Sequence, residues 1–115
     1  MADAALKMED RRQGQVCVLS INGRIDSANA TVLLDRLNAL LSAGEKTILI
    51  DFKNVLYLTS AGFRVLLVAT DEAERNSARV VLCGVLGQVF ELFEMGGLLD
   101  VFTIHRLQED ALARL

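Results

Sequence analysis

The sequence predicts an α/β fold with a mostly parallel central sheet of about five strands and four helices, in the order β-β-α-β-α-β-α-β-α. Three observations carry that expectation. Short β-branched runs alternate with amphipathic segments of helical period, which calls for right-handed crossovers between parallel strands. The run Lys46 to Phe52 is apolar on successive residues, as a parallel strand covered on both faces requires. Glycines punctuate the segments at Asn22-Gly23, Ala43-Gly44, Gly84 and Gly96-Gly97.

In chain order, Ala5 to Gln13 is polar with sparse apolar positions and reads as an edge strand or arm, with Arg11-Arg12-Gln13-Gly14 as a turn. Gln15 to Ile21 is β-branched and apolar, a strand that pairs with the first as a hairpin or across a dimer, and Asn22-Gly23 ends it. Asp26 or Ser27 caps a helix carrying Ala30, Leu33, Leu34, Leu37, Leu40 and Leu41 on one stripe, closed at Gly44. After the central strand, a second helix starts near Ser60 and runs to about Asn76. Arg79 to Cys83 is a strand, Gly87 to Met95 a short helix closed by Gly96-Gly97, Asp100 to His105 a final strand and Arg106 to Leu115 a terminal helix.

At 115 residues the chain is one domain, 1–115, long enough to bury roughly two-thirds of its unfolded surface. A net charge of -3 and an aromatic content of 5% without Trp supply neither the clustered cations nor the stacking surfaces of a nucleic-acid binder. No apolar run approaches the roughly 20 residues of a bilayer span. The start, Met1 to Lys7, has no apolar h-region, so the expected location is cytoplasmic. Cys17 and Cys83 fall inside strand-like runs and read as small buried hydrophobes rather than disulfide partners.

The stretch Leu56-Tyr57-Leu58-Thr59-Ser60-Ala61-Gly62-Phe63-Arg64 places two hydroxyls at a helix start. The first N–H groups of a helix lack intrahelical partners and the macrodipole presents positive charge there, so a hydroxyl at that place is either a cap or a group on which a phosphate would be at home. Other chemistries find no support. A serine hydrolase needs a base, the one His is at 105, and Thr59-Ser60-Ala61-Gly62 is not the nucleophile elbow. A lone His and two strand cysteines cannot hold a metal by themselves. Gly84-Val85-Leu86-Gly87 lacks the Gly-Lys-Ser/Thr of a phosphate loop, and Asp51 lacks the acidic pair and late Lys of a receiver domain. No cofactor cradle can be assembled, and no enzymatic activity is expected.

Three stretches, in order and spanning nearly the whole chain, resemble the STAS domain family of bacterial anti-sigma factor antagonists and sulfate-transporter tails. Val18 to Asp26 is similar to its strand ending in Gly-x-Leu/Ile-Asp. Ile48 to Phe52, continuing through Val55 and Tyr57 to Thr59-Ser60-Ala61-Gly62, resembles its Asp-Leu-Ser-x-Val-x-Phe-x-Asp-Ser-Ser/Ala-Gly, and Val80 to Phe102 its late strand, helix and Gly-Leu segment. The resemblance implies a STAS fold and a protein-binding switch. Its unphosphorylated form would bind an anti-sigma factor that is also a serine kinase, and would be released by phosphorylation at Ser60, with a phosphatase as the opposing partner. The implied partner-binding face comprises Asp26, Thr59, Ser60, Gly62, Phe63 and Arg64. Thr59 stands where the family usually has Asp, which makes Thr59 a second candidate acceptor and keeps open an unphosphorylated assembly module of a lipid-transport complex or signalling scaffold. Gly87 stands where many members have Pro.

Overall fold

The structure, a computed structural model, describes residues 6–115; Ala5, the first residue of the expected edge strand, lies outside the described residues. The elements are β1 (Lys7–Gln13), β2 (Val16–Ile25), α1 (Ala30–Ser42), β3 (Thr47–Leu58), α2 (Ser60–Arg75), β4 (Arg79–Cys83), α3 (Gly87–Met95), β5 (Thr103–His105) and α4 (Gln108–Arg114). The five strands form one sheet in sequence order. β1 and β2 are an antiparallel hairpin within the chain, and β2 through β5 are parallel.

Alternation along the buried strands sends side chains to two different layers. Leu19, Ile21, Ile48, Ile50, Val80 and Leu82 face a core closed by Leu33 and Leu37 of α1, Leu66 and Ala69 of α2 and Phe93 of α3. Val18, Leu49, Val81 and Cys83 face the other way, under Ala111 of α4 with Leu112 and Leu115 beside it. The unbroken apolar run at the centre of the chain therefore has covered faces on both sides, the condition that run satisfies. Phe93 packs edge-on against Phe52, Phe63 and Phe102 at centroid distances of 6.0, 4.9 and 5.8 Å, so one ring ties β3, the first turn of α2 and the approach to β5.

Five boundaries differ from the sequence expectation. β1 runs through Arg11, Arg12 and Gln13, which pair with Val18, Cys17 and Val16, and the turn is Gly14-Gln15. β2 does not stop at Asn22-Gly23: register shifts between Ser20 and Asn22 and between Gly23 and Arg24 absorb the irregularity, and Gly23 takes φ +119°. β3 runs on from Phe52 to Leu58, paired there with β2 alone. β5 is three residues long, because residues 99 to 102 are occupied by turn and bend. α4 spans Gln108–Arg114 within the expected Arg106 to Leu115.

Candidate functional site: the hydroxyl loop at the start of α2

The extra length of β2 and β3 carries both strands past the rest of the sheet and delivers the candidate residues to one corner. Thr59 continues the pairing: its N–H donates to the Ile25 carbonyl at 3.0 Å, and its hydroxyl points at the same oxygen from 3.4 Å. Asn29 fixes the other side of the corner. Its Oδ1 accepts from the Asp26 N–H at 2.9 Å and its Nδ2 donates to the Arg24 carbonyl at 2.8 Å, while Asp26 Oδ1 accepts from the Ala28 N–H at 2.9 Å. Asn29 is 5% exposed, and its amide satisfies backbone groups that would otherwise be orphaned in the turn.

These bonds overturn the capping expectation at α1. Asn29, not Asp26 or Ser27, occupies the cap position of α1, and Asp26 instead closes a local turn of its own. At α2 the cap position belongs to Thr59, extended at φ -95° and ψ 176°, with no side-chain cap hydrogen bond. Ser60 is the first helical residue, exposed, and its hydroxyl has no hydrogen-bond partner among the described residues. The sequence signal that identifies Asn29 is the spacing: it immediately precedes Ala30, the first residue of the apolar stripe, where the cap position falls.

Of the six residues of the expected face, Ser60 and Arg64 are exposed, Asp26 and Thr59 half-buried at its rim, Phe63 half-buried with its ring on Phe93, and Gly62 buried. Ser60 and Arg64 lie with Ser27, Thr31, Leu34 and Val68 along a groove of about 410 Å³ between α1 and α2. The first turn of α2 contains no acidic residue, so the unpaired N–H groups and positive dipole end face no competing carboxylate of their own turn.

Gly62 serves close packing. A Cβ there would lie 2.3 Å from Leu58 Cδ1 and 2.8 Å from Ile25 Cγ2, both on fully buried side chains. Gly62→Ala gains about 1 kcal/mol of helix propensity but has to displace two core side chains, an overpacking cost of about 1–3 kcal/mol. So close an approach to two fully buried side chains puts the cost at the upper end of that range, and the variant is expected to be net destabilised by about 1–2 kcal/mol in urea denaturation; unchanged or raised stability would refute the packing role.

A second buried constellation lies under α4. Asp51 Oδ1 accepts from the Lys53 N–H at 2.9 Å and Oδ2 from Gln108 Nε2 at 2.8 Å, while Gln108 Oε1 in turn accepts from Arg11. Both oxygens of Asp51 are thus committed, Oδ1 within β3 and Oδ2 to the tie between the sheet and α4. Burial, reinforced by the charge of Asp51 and a hydrogen bond to it, pushes the Cys83 thiol up to about 12; burial raises Cys17 as well. Above an ordinary thiol value of 9.0 the unfolded chain releases a proton that folded Cys83 keeps, so stability is expected to fall as pH rises from 9.0 towards about 12. Cys83→Ala is expected to flatten that slope in alkaline denaturation curves; an unchanged slope would contradict the assignment.

Comparison with known proteins gives this arrangement its family. Residues 7–111 match the STAS domain, and the chain belongs to that family. It is 32% identical over 96 residues to BtrV of Bordetella bronchiseptica, a protein named as an anti-sigma factor antagonist, covering 84% of this chain and 83% of BtrV. Two solved structures share the fold: an anti-sigma factor antagonist from Mycobacterium paratuberculosis, at a TM-score of 0.83, 23% identity and coverage of 98% and 96%, and the Bacillus cell fate determinant SpoIIAA in its phosphorylated form, at 0.70, 20% identity and coverage of 96% and 98%. Among the described residues no helix is long and apolar enough to cross a membrane.

Proposed function

We propose that this chain is a phosphorylation-switched anti-sigma factor antagonist that catalyses nothing itself. Unphosphorylated, it binds an anti-sigma factor that is also a serine kinase, through Ser60, Arg64, Asp26 and the groove between α1 and α2. Phosphorylation of Ser60 releases that partner, and a phosphatase resets the switch. The observation that carries this reading is the exposed, unbonded hydroxyl of Ser60 on the first residue of α2. A structural cap would have its oxygen on a backbone N–H.

Physical chemistry supports each half of the cycle. A phosphoserine adds about 1.5–2 negative charges, and at Ser60 they would sit at the positive end of a 16-residue helix, where the fold tolerates them. The same charge, placed in the middle of a docking face, alters what can pack against it. Thr59 is the weaker of the two acceptors, since its hydroxyl is half-buried against the Ile25 carbonyl. The names of BtrV and of the neighbouring structures, one of them a phosphorylated form, point the same way.

Thr59 also favours a second reading, a constitutive STAS assembly module, because the acidic neighbour usual in the family is missing. Intact-mass analysis after incubation with ATP and a lysate of the source cells separates the two. One phosphate on wild type and none on Ser60→Ala supports the switch; no phosphate on wild type leaves the assembly module.

A further inference from the structure

At the carboxyl end of the sheet β4 and β5 send their chains in opposite directions. The chain leaving β4 enters α3, which packs on the face shared with α1 and α2; the chain leaving β5 enters α4, which packs on the other face. Neighbouring parallel strands whose helices diverge in this way leave a crevice beyond their carboxyl ends, and open α/β sheets take ligands in such crevices. Here it is a cavity of about 480 Å³ lined by Val85, Leu86, Phe90, Leu99, Ile104 and Arg106. Its volume falls in the range of about 300–1,000 Å³ typical of small-molecule sites.

Five of these six side chains are apolar, and Leu86 and Phe90 remain 38% and 39% exposed, so the crevice is not filled by the protein's own core. The sixth, Arg106, is exposed, and among the described residues its guanidinium makes no ion pair or hydrogen bond. Its backbone is fixed, because its carbonyl accepts from the Gly84 N–H at 3.0 Å at the end of β4. An apolar slot with a single unpaired cation on a rigid frame suits a ligand with a hydrocarbon body and one anionic end. A nucleotide would need more donors for its phosphates than this lining offers, and an uncharged hydrocarbon would leave the guanidinium unused.

We propose that this crevice binds a free aliphatic carboxylate, its chain against Val85, Phe90, Leu99 and Ile104 and its carboxylate on the Arg106 guanidinium. Each methylene taken from water contributes about 0.8 kcal/mol, and the guanidinium pair sets the orientation. The site stands apart from the Ser60 loop and does not depend on the function proposed for it.

The test is a titration of the ¹⁵N-labelled protein with sodium decanoate, and in parallel with decanol, followed by amide shifts. Saturable shifts confined to Val85 to Phe90 and Leu99 to Arg106 are expected. Arg106→Gln, an exposed substitution, is expected to weaken decanoate roughly tenfold while leaving decanol unchanged, and Phe90→Ala to weaken both. Absence of saturable shifts, decanol binding as tightly as decanoate, an unaffected Arg106→Gln variant, or shifts centred on the groove beside Ser60 would each overturn the proposal.

Discussion

Ser60→Asp is expected to weaken binding to the anti-sigma factor/serine kinase by at least about 100-fold, close to 2.7 kcal/mol, while leaving the fold as stable as wild type or slightly more so. The two effects have opposite signs for one reason. In the free protein the new carboxylate sits at the start of α2, in a first turn that has no acid of its own, and gains about 0.3–1 kcal/mol from the helix dipole. In the complex the same charge is taken out of water without a partner built for it, and an uncompensated buried charge costs several kcal/mol. Ser60→Ala should leave stability unchanged, since the hydroxyl it removes has no hydrogen-bond partner among the described residues, and should weaken binding far less than Ser60→Asp, since it brings no charge into the contact. Calorimetric titration of the partner and urea denaturation of both variants check the pair of outcomes. Loss of stability in Ser60→Asp parallel to its loss of binding would show an unfolding effect instead of a switch.

Gly84→Ala is expected to produce the largest loss of stability. Gly84 has φ +70°, a conformation that costs an alanine about 1–2 kcal/mol. A Cβ there would also lie 2.6 Å from Asp51 Oδ1, 2.7 Å from the Lys53 nitrogen and 3.2 Å from Lys53 Cα. At Gly62 the obstacles are side-chain atoms of Leu58 and Ile25, which can yield by repacking. At Gly84 they are the backbone of β3 and a carboxylate held by Lys53 and Gln108, so relief requires moving a strand or breaking the tie to α4. Strain and overpacking together amount to about 2–5 kcal/mol, a large share of the 5–15 kcal/mol that holds a domain of this kind together. The melting temperature should fall by more than about 10 °C; a fall under about 3 °C would mean that the close approach is relieved cheaply.

The order of elements and the placement of α2 were legible because strong local signals agree there: a buried apolar run, then a helical stripe with Val65, Leu66, Ala69 and Ala73 buried. Boundaries that depend on pairing were not. Lys53 and Asn54 look like the end of a strand, yet β3 continues to Leu58 because β2 runs alongside it, and only the tertiary partner carries that information. Asn22-Gly23 likewise looks like a turn and becomes an irregularity inside β2.

The candidate site divides in the same way. Ser60, Thr59 and Asp26 stand out as residue types at the starts of predicted helices, and the fold brings all three to one corner through the Thr59-to-Ile25 bond and the turn built on Asn29. Their roles required geometry. Whether a serine near a helix start caps it depends on a one-residue difference in where the first helical turn begins, below the resolution of any sequence pattern. Asn29 went unread because its side chain works on the Asp26 N–H and the Arg24 carbonyl, backbone groups that no sequence pattern marks, and the crevice beside Arg106 because its walls come from segments distant in sequence, the loop after β4, α3 and the residues around β5.

The measurement that goes most directly to the switch is calorimetric titration of the anti-sigma factor/serine kinase with the protein before and after stoichiometric phosphorylation of Ser60. Tight binding before phosphorylation, and loss of at least about 100-fold in affinity afterwards with an unchanged melting temperature, is the predicted result. Equal affinity of the two forms would contradict it and leave Ser60 an exposed surface hydroxyl on a constitutive binding module.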